Sequence, residues 1–347
     1  MAQSAASAPA ATMSAGPAAG PPERRRNQRH TYGAVDLGTN NCRLLIARPT
    51  DGGFTVIDAF SRIVRLGEGL SQSGRLSQEA MDRAVDALAV CADKLRRRNV
   101  SLSRSVATEA CRRAVNGREF AERVRRETGV VLDIIPPQEE ARLAVLGCHK
   151  LLEPGDGPAL IFDIGGGSTE LVLVEQSAAG PKIRSWWSAP WGVVSLTESE
   201  GKDAIEGSER VAAYGRMRER ARRAFARFAA MLPEKRDGIR LLGTSGTVTT
   251  LASVHLALPA YDRRAVDGLH VPIDSMRRIS TMIAEMDHSE RSSLPCIGAE
   301  RADLVVAGCA ILEAILEIWP AQNLGIADRG IREGILRSLM ARDGYLL

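Results

Sequence analysis

Short β-prone, apolar-rich runs cover residues 32–36, 44–47 and 54–60, and Gly38-Thr39-Asn40-Asn41 separates the first two from one another. Three β-prone runs joined by short turns predict a meander. Helical periodicity follows. Over residues 77–98, Ala80, Ala84, Leu88 and Cys91 share one helical face. Ser77 is placed to cap that helix, and Arg96, Arg97 and Arg98 suit the negative end of its dipole. Strands are predicted at 103–107 and 130–135, and helices at 117–128 and 138–151. The series then begins again: strands at 159–163, 170–175 and 183–188, a helix at 210–231, a strand at 240–242, and helices at 245–257, 275–286, 298–318 and 331–340.

The repetition is also visible in individual residues. Asp36-Leu37-Gly38 and Asp163-Ile164-Gly165 each end an apolar strand, and each leads into an apolar triplet, Leu44-Leu45-Ile46 or Leu171-Val172-Leu173. Two copies of one hairpin predict two related domains facing each other across a cleft. Their expected bounds are 31–152 and 153–347, with a closing helix at 328–342 that belongs to the second or packs back on the first.

Length agrees, since 347 residues suit roughly two domains. The chain is 44% apolar and 25% charged, an ordinary globular balance that excludes a mostly disordered chain or a disulfide miniprotein. Arg24, Arg25, Arg26 and Arg29 lie in an Ala/Pro/Gly-rich leader, expected over 1–30 as a disordered basic tail without the form of a targeting peptide. Lys plus Arg number 46 against 42 acids, so the remainder is nearly neutral, which argues against a specific nucleic-acid partner. No uninterrupted apolar run spans a membrane, because residues 305–319 carry Glu313 and Glu317. Six scattered cysteines without a CxxC pair suit reduced, buried thiols and a cytoplasmic location.

Candidate chemistry lies at the turns. Gly165, Gly166 and Gly167 permit positive φ and let backbone N–H groups crowd together without side chains, and Ser168 and Thr169 add hydroxyls. A strand follows, so this is neither a dinucleotide fingerprint nor a P-loop. A plain hairpin turn is the alternative, and the related Gly38-Thr39-Asn40 turn weighs against it. Asp36 and Asp163 would repel a phosphate unless a cation lay between, which implies Mg²⁺; a turn-capping role is the alternative. Gly243-Thr244-Ser245-Gly246-Thr247 follows a strand and opens a helix, so it could meet an anion or simply start the helix.

These turns, in this order, resemble those of the actin, sugar kinase and heat-shock chaperone ATPase superfamily. Within it, Tyr32-Gly-Ala-Val-Asp-Leu-Gly-Thr-Asn-Asn41 is similar to the first phosphate motif of the exopolyphosphatase / guanosine pentaphosphate phosphohydrolase (Ppx/GppA) family. Ala107-Thr-Glu-Ala-Cys-Arg-Arg-Ala-Val-Asn116, Gln138-Glu139-Glu140-Ala141-Arg142 and Phe162-Asp-Ile-Gly-Gly-Gly-Ser-Thr-Glu170 resemble further motifs of that family. So do Trp191-Gly-Val-Val-Ser195 and Ala327-Asp-Arg-Gly-Ile-Arg-Glu-Gly334. The resemblance implies the short two-domain form: an α/β fold of two actin-like (ribonuclease H-like) domains, each a mixed five-stranded sheet with flanking helices, around a central cleft. It implies hydrolysis of the terminal phosphate of inorganic polyphosphate or guanosine pentaphosphate with Mg²⁺ or Mn²⁺, and admits a homodimer. An alarmone or polyphosphate sensor and an acceptor-dependent kinase are the alternatives.

By the same resemblance Glu140 is the general base and Arg112 contacts the terminal phosphate. Asp36, Asp163 and Glu170 serve the metal. Gly38, Thr39, Asn40, Gly165, Gly166, Gly167 and Ser168 bind phosphate, while Gly192 and Ser195 line its channel. Gly243 to Thr247 would meet a nucleotide. By position alone, Glu140 reads first as a solvated acid in a first helical turn, and Arg112 as a surface ion pair with Arg113 an equal candidate.

Overall fold

The computed structural model describes residues 30–155, 157–177, 180–232 and 238–345. The tail expected over 1–30 lies outside them but for His30.

The first unit is built from β1 (Tyr32–Leu37), β2 (Asn41–Thr50) and β3 (Gly53–Ile63), then α1 (Gln78–Arg97), β4 (Leu102–Ala107), α2 (Glu109–Arg113), α3 (Gly117–Thr128), β5 (Leu132–Ile134) and α4 (Pro137–Cys148). Ser77 caps α1 as its sequence suggests, its side chain accepting from Ala80 N at 3.2 Å. The sheet order is β3-β2-β1-β4-β5, with β1 antiparallel to β2 and parallel to β4.

The second unit contains β6 (Pro158–Ile164), β7 (Thr169–Ser177), β8 (Gly180–Ala189), α5 (Val193–Glu200), α6 (Arg210–Ala230), β9 (Arg240–Thr244), α7 (Gly246–His255), β10 (His270–Pro272), α8 (Ile273–Glu285), α9 (Val305–Ile318), β11 (Asn323–Ala327) and α10 (Ile331–Arg342). Its sheet runs β10-β11-β9-β6-β7-β8. Read from β8 inward, the connectivity repeats that of the first sheet. The second sheet has six strands where five were expected, because β10 adds a short antiparallel edge on β11. The apolar run expected as one helix over 298–318 becomes helical only at Val305; Gly298, at φ +68°, sits in a turn before it.

Two connections join the units. α4 leads into β6, and β11 leads back through Asp328, Arg329 and Gly330 to α10. Ile331, Ile335, Leu336 and Met340 of α10 pack with Tyr32, Ala34 and Leu45 of the first sheet and with Leu143 of α4. The two helices approach closely: a Cβ on Gly334 would lie 2.0 Å from Leu143 O, and one on Gly147 would lie 2.0 Å from Gly330 O. All six cysteines are buried and unpaired, with Cys42 Sγ and Cys91 Sγ 3.9 Å apart. Among the described residues no helix is long and apolar enough to cross a membrane.

Gly334→Ala should force α4 and α10 apart and destabilise the protein by about 1–3 kcal/mol. Gly215→Ala, in α6 with nothing within 4 Å of the added carbon, should stabilise by about 0.5–1 kcal/mol. Urea unfolding of both variants checks the contrast.

Candidate active site

The ends of β1 and β6 meet across one cavity with an empty volume of about 1050 Å³. Asp36, Gly38, Thr39 and Asn40 line it from the first unit; Asp163, Gly165, Gly166, Gly167, Ser168 and Glu170 line it from the second. Glu140, on the first turn of α4, joins them.

Each turn is braced from behind. Gly38 N donates to Asn41 O at 2.9 Å, and Gly165 N donates to Ser168 O at 3.0 Å, closing the two hairpins. The second turn then receives the N-terminus of α5. Val193 N donates to Gly165 O at 2.9 Å, Val194 N donates to Gly166 O at 2.8 Å, and Ser195 Oγ donates to Gly167 O at 3.2 Å. In a planar trans peptide the C=O and the following N–H point oppositely. Binding these three carbonyls behind the loop therefore turns the N–H groups of Gly166, Gly167 and Ser168 the other way, as an anion nest requires. The first turn is held similarly: Gly67 N donates to Thr39 O at 2.9 Å, and Val64 N donates to Asn40 O at 2.9 Å.

None of Gly165, Gly166 and Gly167 adopts a positive φ, so conformational freedom is not why they are glycines. Crowding is. A Cβ on Gly166 would lie 2.9 Å from Thr39 Cβ, and one on Gly192 would meet the Gly165 and Gly166 carbonyl oxygens at 2.5 Å. Gly192 thus stands behind the second turn instead of on the cavity wall. Ser195, 6% exposed, buttresses the same turn and borders a narrow neighbouring cavity with Glu198.

The third turn divides. Ser245, Gly246 and Thr247 face the cavity. Gly243 is packed beneath Phe162, and Thr244 Oγ1 donates to Arg329 O at 2.7 Å. Ser245 sits at φ 148°, a region nearly reserved for glycine, and its Oγ accepts from Thr247 N at 3.1 Å and Val248 N at 3.4 Å. Its own hydroxyl thus occupies part of the helix end that was a candidate for an anion.

Pro137 at the first position of α4 presets its φ and starts the helix that carries Glu140. Glu140 is 6% exposed, not the solvated acid its position alone allowed. Burial, then the charge of Glu170, pushes its carboxyl well above the usual range, with Arg112 opposing. Arg112 Nη1 donates to Glu140 Oε2 at 3.0 Å and to Ile135 O at 2.6 Å, while Nε and Nη2 donate to Glu109 Oε2 at 3.1 and 2.7 Å. Arg112 is absent from the cavity wall, where Glu109 and Glu140 stand. Its fork is thus turned onto two carboxylates in this structure, away from the phosphate position that the resemblance implies.

Glu170 Oε1 accepts from Ser168 Oγ at 2.7 Å and Ser188 Oγ at 2.8 Å. Burial raises its pKa and, first among the causes, that of Asp36. Asp163 is pushed up to about 8 by burial and then by Glu170. Asp36 Oδ1 and Asn40 Oδ1 are buried and accept no hydrogen bond among the described residues. Orphaned buried oxygens beside unneutralised carboxylates fit a hard cation, which Asp36, Asp163 and Glu170 would hold. Arg43 and Arg301 also line the cavity, and neither stood out in the sequence. Arg43 lies on β2, two positions after Asn41 and so on the same face, which is the signal that could have found it. Arg301 comes from the irregular segment before α9, where no periodicity marks it.

The Ppx/GppA phosphatase family model matches residues 45–343. A Haemophilus influenzae protein assigned by name as an exopolyphosphatase is 29% identical, over 92% of this chain and 94% of its own. An Aliivibrio fischeri guanosine-5'-triphosphate,3'-diphosphate pyrophosphatase is 30% identical over 88% of this chain, which spans only 58% of that relative. Among solved structures, an Aquifex aeolicus Ppx/GppA enzyme superposes with a TM-score of 0.73 at 32% identity, covering 89% of this chain and 99% of its own. The chain belongs to the Ppx/GppA phosphatase family, whose members generally depend on a divalent metal.

Between its unfolded value near 3.8 and its folded value of about 8, Asp163 binds a proton in the folded state that the unfolded chain has lost. Its contribution to the stability of metal-free protein therefore falls as pH rises from about 4 to 8. Asp163→Asn should remove that slope and raise the melting temperature in chelator at pH 8 by about 2–4 °C. The same variant should forfeit the stabilisation that an added divalent ion confers. Thermal melts across pH, with chelator and with metal, check both effects.

Proposed function

We propose that this Ppx/GppA chain is a phosphohydrolase of the cytoplasm that removes the terminal phosphate of inorganic polyphosphate or of guanosine pentaphosphate, with Mg²⁺ or Mn²⁺ as its metal. The observation that carries this is the convergence of a buried Glu140 with the braced Gly166–Gly167–Ser168 turn and the carboxylates of Asp36, Asp163 and Glu170 in one cavity. The family membership and the names of the two relatives support it.

Hydrolysis of a phosphoanhydride requires an in-line water, a positioned phosphoryl group and an answer to its charge. In this reading the N–H groups of the second turn and of Asn40 receive the terminal phosphate from its two sides. A divalent ion, when bound, supplies positive charge against the phosphate oxygens and the departing oxygen. Glu140 would accept a proton from the attacking water; after burial, the charges of Glu170 and Asp36 disfavour its ionised form, and a cation held by those carboxylates would lessen that repulsion. Arg43 and Arg301 face the same cavity and suit the remaining anionic length of the substrate. A sensor would have no use for a buried, strongly perturbed carboxylate at that place, which favours the hydrolase over the binding module.

Released phosphate should appear with Mg²⁺ and disappear in chelator, in assays of short polyphosphate, long polyphosphate, guanosine pentaphosphate and ATP run side by side. Transfer to an added alcohol without free phosphate would point to a kinase instead. Glu140→Ala should lower kcat by about 10²–10⁴-fold while polyphosphate binding persists. Wild-type turnover by that variant would remove Glu140 from the mechanism.

A further inference from the structure

We propose that Glu109 is a positioning residue that acts through Arg112 to fix the carboxylate of Glu140; the inference rests on the reading of Glu140 as general base. Glu109 opens α2 and stands on the cavity wall, whereas Arg112 lies behind it. A guanidinium carries five N–H donors in a rigid plane. Here four donor–acceptor contacts are in place: Nε and Nη2 to Glu109 Oε2, and Nη1 to Ile135 O and to Glu140 Oε2.

The two ends of the fork have different tasks. Nη1 alone reaches Glu140, and a group tethered only at Nη1 could still rotate about that nitrogen. The pair of bonds to Glu109 Oε2 holds the opposite edge and removes this freedom. Glu109 lies beside the second turn: its Cγ is 3.0 Å from where a Cβ on Gly167 would stand. The turn proposed to receive the phosphate thus adjoins the stem of Glu109, which through Arg112 sets the direction of Glu140. A second consequence concerns charge. Arg112 is shared, so Glu109 takes part of its positive charge and Glu140 is aimed without being locked into an exclusive ion pair. Glu109 therefore keeps the base oriented through Arg112.

The test compares wild type, Glu109→Ala and Glu109→Gln in phosphate release with Mg²⁺. Glu109→Ala should lower kcat about tenfold or more, with KM for polyphosphate within about twofold, because an interaction realised through the base acts on turnover and not on substrate binding. Glu109→Gln still offers an amide oxygen to Nε and Nη2 and should recover to within about threefold of wild type. Wild-type kcat in Glu109→Ala, a loss confined to KM, or a glutamine variant as impaired as alanine would each overturn the proposal. A crystal structure of Glu109→Ala gives a readout independent of turnover: Arg112 Nη1 and Glu140 Oε2 should separate beyond hydrogen-bond distance, and an intact contact overturns the proposal. Should the wild type release phosphate from none of the four substrates, the proposed function fails, and that crystal structure still decides the role of Glu109.

Discussion

Like charge crowded into one cavity is the constraint on which the rest of this molecule depends. Asp36, Glu109, Glu140, Asp163 and Glu170 line a single space, and the arginines that share its wall are Arg43 and Arg301. Placing carboxylates at that density costs stability, because burial and mutual repulsion both disfavour their ionised forms. A fold tolerates this only where the surrounding frame is stiff enough to keep the groups from moving apart or out to water. The stiffness here comes from two sheets whose first strands end at the cavity, and from the segments that brace each turn from behind.

The brace is a matter of steric fit more than of conformational freedom. Thr39 sits against Gly166 and Gly167, Gly67 sits against Thr39, and Gly192 sits against the carbonyls of the second turn. Each glycine removes a side chain where two backbones must touch, so the two domains meet turn to turn. Glu198 of α5 adds a polar link across the same seam, accepting from Gly69 N at 2.8 Å and from Ser71 Oγ. The carbonyls engaged in this packing are the ones whose peptide planes direct N–H groups into the cavity. The helix that reaches across the seam through Glu198 therefore also holds the carbonyls of the second turn.

Much of this was legible in the chain. The doubled Asp-φ-Gly hairpin announced two related units, and the strand order repeats accordingly. Short apolar runs located the first two meander strands because both of their faces are buried, and Ser77 marked the start of α1 through its own hydroxyl. What could not be read depends on partners distant in sequence. Glu140 occupies a position where an acid is usually solvated, and only the packing of α4 between the sheets buries it. Glu109 belongs to a helix of five residues, too short for any periodicity, and Arg301 to an irregular segment. β10 was missed because three residues of edge strand carry no alternation to detect.

The placement of α4 joins these threads. One face of the helix, Ala141, Val145 and Cys148, packs with Ala159, Ile161 and Val172 of the second sheet. The other, Leu143 and Ala144, packs with α10 and the strands of the first sheet. α10 in turn descends directly from β11 of the second unit and covers β1 of the first. The helix that carries Glu140 is therefore gripped by both domains at the point where the chain crosses between them. A base attached to one domain alone would change its distance to the opposite phosphate turn whenever the cleft breathed. Glu140 on the crossing helix stays registered to both turns, because displacing it requires breaking two hydrophobic contacts and parting the Gly147–Gly330 and Gly334–Leu143 backbones. Duplication supplied two similar turns, and Glu140 sits between them on one of the two segments where the chain crosses from unit to unit.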